Sequence, residues 1–228
     1  MIKDAVVVIC ARGGSKGLKN KNLTKLNGKP LIGYTIEQSI RCFENIVISS
    51  DSDEILDFSS QYKNVQILKR PKSLSGDKTP KIPAIQHAVK TLNMKEEIII
   101  DLQPTSPLRE DKTILKGIRK CKKLRKWDNL VSISLSKYHP KYNQIKINSN
   151  KIKLLDEPKK ALTGRNLIEE TYIINGSFYI WNKESLMKND NSIIRQNSYY
   201  IITDLEESVD IDTKLDLEFA EYLIKSKK

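Results

Sequence analysis

Short apolar runs alternating with segments of helical period are what most restrict the fold open to this 228-residue chain. The first run, at 4–10 (DAVVVIC), is apolar without alternation, the mark of a strand covered on both faces in a parallel sheet. Further runs follow at 45–50 (NIVISS), 65–68, 97–102 (EIIIDL) and 130–134 (LVSIS). Between them lie helical periods: one opens at Pro30, with Leu31, Tyr34, Thr35 and Gln38 in phase, and others span 53–60, 80–92 and 112–124. This order predicts right-handed crossovers and an α/β fold with a doubly wound, mostly parallel sheet. The rhythm fails between 135 and 170, a polar, lysine-rich stretch in which 144–155 reads as a hairpin. Strand character returns at 172–181 and 199–202, and a helix at 213–225 closes the chain. With no internal repeat or low-complexity linker, 1–228 reads as one domain carrying an inserted arm at 136–171, either mobile or packed on another subunit.

Composition removes several classes of function. Apolar residues make up 39% and charged residues 30%, enough for a real core, and no run approaches the roughly 18 apolar residues of a membrane span. The apolar start is short and is followed by Arg12 and a glycine pair rather than a cleavage site, so a cytoplasmic enzyme is expected. Cys10, Cys42 and Cys121 are odd in number and scattered, which argues against a disulfide framework or a thiolate metal site. His87 and His139 are too few for a histidine metal cluster, and a Ser-His-Asp triad lacks its G-x-S-x-G elbow. The net charge of +12 fits either attraction for acidic ligands or a lysine-biased solvated surface. Its richest patch, KGIRKCKKLRKW at 116–127, has no interleaved aromatics for base stacking and reads as a solvated helix face.

Ligands of open parallel sheets bind at the carboxyl ends of strands, and four polar clusters fall there. After the first run comes Cys10-Ala11-Arg12-Gly13-Gly14-Ser15-Lys16-Gly17. Glycines let amide hydrogens approach phosphates, and Arg12, Lys16 and Lys21 add positive charge. The spacing matches neither the P-loop nor the dinucleotide fingerprint, and a plain strand-to-loop turn is the alternative. Asp101 and Gln103 precede a rigid turn with Pro104 and Pro107, which would hold Gln103 over the sheet; a capping role for Thr105 or Ser106 explains the prolines alone. Asp210 and Asp212 share one face if their segment is extended, and two such carboxylates can hold magnesium; Asp212 could instead cap the last helix. Arg70, with Ser75, Asp77 and Thr79 beyond it, forms a polar loop fit for a base or a phosphate, or simply for solvent. Asp51-Ser52-Asp53 has the look of a glycosyltransferase D-x-D, but capping of helix 53–60 explains it as well.

Taken together, these stretches resemble the bacterial sialic acid–type cytidylyltransferases, the CMP-nonulosonate synthetases. The matching segments are ARGGSKGLKNKNL at 11–23, GKPLIGYTIE at 28–37, RP and LSGDKT within 70–79, LQPTSPLR at 102–109, INGSFYI at 174–180 and SVDIDTKLDLEFAE at 208–221. They keep the family's order from end to end. The resemblance implies a nucleotide-diphospho-sugar transferase-like fold and a Mg2+-dependent reaction of CTP with a nine-carbon sugar acid, giving a CMP-sugar acid and pyrophosphate. It places Ala11, Arg12, Gly13, Gly14, Ser15, Lys16, Lys21 and Asn22 around the CTP phosphates and ribose, with Arg70, Asp77 and Thr79 holding the nucleotide. Gln103 and Tyr179 would face the acceptor sugar, and Lys141 and Arg165 would meet its carboxylate. Asp210 and Asp212 would bind the metal; with Arg12, Lys16 and Lys21 they form the implied catalytic set. A homodimer whose arm enters the neighbouring site is implied as well, with no nucleic acid or membrane partner. Two departures, Tyr172-Ile173-Ile174 and Glu169, replace cation and proline positions on the sugar side. Competing readings are a 3-deoxy-octulosonate cytidylyltransferase, a metal-dependent glycosyltransferase and, more distantly, a basic nucleic-acid-binding protein.

Overall fold

The computed structural model describes residues 1–14, 17–158 and 169–226. Strands are β1 (Ile2–Cys10), β2 (Lys25–Leu26), β3 (Lys29–Pro30), β4 (Phe43–Ser50), β5 (Gln66–Lys69), β6 (Ile98–Leu102), β7 (Asn129–Leu135), β8 (Ile145–Asn148), β9 (Lys151–Leu154), β10 (Tyr172–Asn182) and β11 (Ser198–Ile202). Helices are α1 (Leu31–Cys42), α2 (Asp53–Ser60), α3 (Lys81–Thr91), α4 (Asp111–Lys122), α5 (Lys183–Leu186) and α6 (Lys214–Ser226). Each element expected from the sequence is present, with ends displaced by a residue or two. The β2–β3 hairpin and the single-turn α5 carry too few residues for a period to reveal them.

Seven strands form one sheet in the order β11-β7-β10-β6-β1-β4-β5. The pairs β1–β4, β1–β6, β4–β5 and β7–β11 are parallel, whereas β10 runs antiparallel to both β6 and β7. The α/β, mostly parallel sheet is therefore as expected, with one reversed strand. Apolar content gives a strand's burial but not its direction, so this reversal is not legible in β10 itself.

Alternation along β1 sorts the core into two layers. Val7 and Ile9 join Ile32, Ile36, Ile114 and Ile118 of α1 and α4 on one face. Val6 and Val8 join Ile82, Ile85 and Val89 of α3 on the other. A third cluster, of Leu26, Leu31, Ile211 and Ala220, clamps α6 and the segment before it onto the β2–β3 corner. That clamp brings residues near 210 beside the loop that follows β1. The β8–β9 hairpin stands apart, with Ile145, Ile147 and Ile152 exposed.

Candidate active site

β1, β4, β5 and β6 are mutually parallel, so Cys10, Ser50, Lys69 and Leu102 end at one edge of the sheet. A cleft of about 580 Å³ opens there, walled by Arg12, Lys21, Arg70, Thr79, Gln103 and Asp212 among others. Asn22 and Asp77 also reach it.

The glycine loop is held from beneath. Ala11 is fully buried and its N–H donates to the Ser49 carbonyl at 3.0 Å, so it offers the cleft neither side chain nor amide. The Gly13 N–H, expected to meet phosphate, instead donates to Asp51 Oδ1 at 3.0 Å, which also lies 3.6 Å from Arg70 Nη2. Asp51 therefore braces the loop against Arg70. Ser52 stands at the start of α2 without a side-chain capping bond, and Asp53 pairs with Lys69, so capping does not account for this acidic cluster. Gly14 has φ +64°, a left-handed turn that glycine takes without strain. Asn22 ties the loop from above, donating to the Arg12 carbonyl at 2.9 Å. Ser15 and Lys16 lie outside the described residues.

Both remaining cations of this loop reach across the cleft. Arg12 Nη1 bonds the Asp77 carboxylate, and Lys21 Nζ bonds Asp212 Oδ1 at 2.5 Å. A built side-chain carbon on Gly17 would stand 2.5 Å from the Asp212 carbonyl oxygen. The loop after β1 and the segment before α6, 191 residues apart at the Lys21–Asp212 pair, thus meet over one cavity.

Residues 210–212 are not a sheet strand. The Ile211 N–H nevertheless donates to the Thr105 carbonyl at 2.8 Å and its side chain is fully buried, which leaves Asp210 and Asp212 flanking a buried residue. Asp212 does not cap α6. Thr213 does so, in a reciprocal box: its Oγ1 accepts from Asp216 N at 3.3 Å, and Asp216 Oδ2 accepts from Thr213 N at 2.8 Å. The Asp210 carboxyl is raised, first because surrounding protein disfavours its charge and also because Asp212 is near, while a hydrogen bond with Thr105 opposes the shift. Asp210 is exposed by area, so the protein crowds its carboxyl without sealing it from water. Among the described residues no group of three histidine, cysteine or acidic side chains could hold a metal. Two carboxylates supply hard oxygen ligands, suited to a divalent ion that completes its shell with water and phosphate oxygens.

The floor holds Asp101, which the sequence pairs with Gln103, and a cation, Lys81, that sequence reasoning missed. Asp101 is 1% exposed, lies 2.7 Å from Lys81 Nζ, and accepts from Gln103 Nε2 at 3.0 and 3.1 Å. Burial raises the Asp101 carboxyl above the usual carboxylate range, with Lys81 opposing the shift. Lys81 is the first residue of α3, where helical period carries no sign of its partner. Asp51, by contrast, could have been found by applying the strand-end rule to β4.

Other expected residues fall elsewhere. Tyr179 is 9% exposed, stacks with Trp181 at 6.4 Å and is buried beneath the cleft rather than lining it; burial raises its hydroxyl to about 12. Lys141 lies at the base of the β8–β9 hairpin, 3.7 Å from Asp156, and does not line the cleft of its own chain. Arg165 is outside the described residues. Arg109, the end of LQPTSPLR, is a buried tie: it donates to Gln38 Oε1 at 2.9 Å and to the Ser177 carbonyl at 2.7 Å. The Asn-Gly of INGSFYI is an irregularity in β10, where Gly176 has φ +71° and Asn175 bonds Ser132, Thr203 and Ser208.

Residues 6–227 match the model of a family described as cytidylyltransferase. The chain is 33% identical to post-translational flagellin modification protein B of Campylobacter coli, over 99% of this chain and 97% of that one. It is 34% identical to CMP-N,N'-diacetyllegionaminic acid synthase of Campylobacter jejuni, over 98% and 96%. Among solved structures, a CMP:2-keto-3-deoxy-manno-octonic acid synthetase complexed with CTP superposes with a TM-score of 0.72 at 13% identity, covering 98% of this chain and 99% of that one. At that identity the likeness concerns the fold alone.

Proposed function

This chain belongs to the cytidylyltransferase family, and we propose that its cleft transfers the cytidylyl group of CTP to the anomeric hydroxyl of a nonulosonic acid, releasing pyrophosphate. The observation that carries this reading is the convergence of the cationic glycine loop with Asp212, through the Lys21–Asp212 pair and the Gly17 contact. The full-length similarity to a synthase named for a legionaminic acid product supports the acceptor class.

Transfer at phosphorus asks the protein chiefly for in-line positioning and charge neutralisation. Arg12 and Lys21, paired with carboxylates when no nucleotide is bound, exchange Asp77 and Asp212 for the more highly charged triphosphate. Arg70, fixed by Asp51 and by Ser75 at 3.1 Å, and Thr79 hold the nucleotide. Asp210 and Asp212 would hold a divalent ion, magnesium by the preference of that ion for oxygen ligands. Bound there, it would neutralise the triphosphate and lend acidity to the attacking hydroxyl. A bond forms between the sugar oxygen and the α-phosphorus while the bond to the bridging oxygen breaks. The hydroxyl proton leaves to Asp210 or Asp212, and pyrophosphate departs against Arg12 and Lys21. Gln103 faces the sugar from the floor.

The arm at 136–171 serves the partner subunit of a cytoplasmic homodimer, bringing Lys141 and Arg165 to the sugar carboxylate in the neighbouring cleft. The exposed Ile145, Ile147 and Ile152 of its hairpin support this, as does the absence of Lys141 from the lining of its own cleft.

Pyrophosphate release from CTP and magnesium with a panel of neuraminic, legionaminic and pseudaminic acids and 3-deoxy-octulosonate tests the proposal. Turnover is expected with at least one nonulosonic acid, and Asp212→Asn should cost roughly a hundredfold or more in kcat. Turnover with 3-deoxy-octulosonate alone would change the acceptor class, and wild-type rates in Asp212→Asn would remove the metal role.

A further inference from the structure

We propose that Asp101 and Lys81 are positioning residues that lock the Gln103 amide with its nitrogen toward the sheet and its carbonyl oxygen toward the cleft, so that the floor recognises a hydrogen-bond donor on the sugar acid. This rests on the cytidylyltransferase reading of the cleft and names one feature of the acceptor that the reading leaves open.

An ionised carboxylate accepts hydrogen bonds and donates none. Gln103 Nε2 lies 3.0 Å from one Asp101 oxygen and 3.1 Å from the other, so the opposite amide orientation would set an oxygen against two oxygens. The Gln103 backbone has little freedom to escape this choice. Its N–H donates to the Ser177 carbonyl at 3.1 Å, and its carbonyl accepts from Thr35 Oγ1 and from Arg109 Nη1, each at 3.3 Å. Gln103 lines the cleft, and its Oε1 has no partner among the described residues. The amide oxygen is the polar atom left for a ligand.

Lys81 opposes the upward push of burial on the Asp101 carboxyl and so favours its charged form. Asp101 lies in β6, between β1 and β10 and opposite Tyr179, and a carboxylate so buried needs a nearby cation to stay ionised. Lys81 Nζ is 2.7 Å from Oδ2 and 5.9 Å from the centre of the Tyr179 ring. The ammonium nitrogen is shielded from water and turned to this carboxylate, which it meets as a close ion pair. It engages Oδ2 alone, and a carboxylate has lone pairs enough on its two oxygens to accept from Gln103 Nε2 as well. Buried ion pairs often contribute no more to stability than apolar residues of the same volume, so packing gives no reason to place one beneath a cleft.

A double-mutant cycle in turnover assays, with the best acid of the panel, tests the assignment. Asp101→Asn can present its own N–H to Gln103 and turn the amide over. We expect it to raise the KM for the sugar acid about tenfold, the worth of one hydrogen bond, and to leave the KM for CTP within about twofold. Gln103→Ala should match it, and the double variant should be no worse than Gln103→Ala alone. Additive losses, or an equal loss for CTP, would overturn the proposal. Lys81→Met combined with Asp101→Leu removes both charges; it should melt near wild type and still show the sugar defect, and a wild-type sugar KM there counts against the assignment. A readout independent of catalysis is the 1H–15N spectrum of the Gln103 side-chain amide, identified by its loss in Gln103→Ala. Its protons should exchange slowly with solvent in the wild type and quickly in Asp101→Leu; equal rates in both would refute the lock. If no nonulosonic acid is turned over, the proposed reaction falls while this spectrum still decides the orientation.

Discussion

Gly17 shows how one missing side chain can define a site. A methyl group there would stand 2.5 Å from the Asp212 carbonyl oxygen, and backbone against backbone has little room to yield. Gly17→Ala should therefore part the glycine loop from the segment before α6, lowering kcat/KM for CTP by roughly a hundredfold, the scale of an ångström-sized misplacement, as steady-state kinetics would register. Thermal stability should change little, because the loop is at the surface. Asp212 was ambiguous as a residue in a sequence, fit either for capping α6 or for binding a ligand. The structure resolves it through two neighbours: Thr213 and Asp216 satisfy the helix start between them, and Asp212 turns to Lys21.

Among the elements, α4 packs closely on β10 at a glycine. A side-chain carbon on buried Gly117 would lie 2.8 Å from Ile180 Cδ1, at the centre of the larger core cluster. Gly117→Ala trades a better helix former against an overfilled core, and the second effect is the larger. A loss of about 1 kcal/mol is expected in urea unfolding, with the KM values for both substrates unchanged. Helices were readable from periodicity and buried strands from unbroken apolar runs, because burial enforces both: β1 is apolar throughout since Val6 and Val8 enter one core layer and Val7 and Ile9 the other. The reversal of β10 was not readable, since its direction depends on how the chain between β7 and β10 returns.

At the scale of the whole molecule, the charge of +12 and the exposed isoleucines of the β8–β9 hairpin are properties of a surface. The proposed homodimer predicts that Ile147→Asp with Ile152→Asp shifts the sedimenting species from about twice the 26.2 kDa chain mass to the single chain. Turnover should fall with it, because Lys141 and Arg165 would then be withheld from the neighbouring cleft. A variant that remains dimeric with full activity would remove the hairpin from the interface.

The succession of the main strands and helices, the mostly parallel sheet and the motifs at strand ends were legible in the residues alone, because burial and helical or strand period are local and written residue by residue. The sequence also carried the family resemblance, since ARGGSKG, LQPTSPLR and SVDIDTK are contiguous. That Asp51 braces Gly13, that Tyr179 lies beneath the cleft and that Lys81 meets Asp101 emerged with the folded chain. Those outcomes depend on contacts between residues from 20 to 38 positions apart or on different elements, and no local pattern encodes which charged side chains will share a buried space.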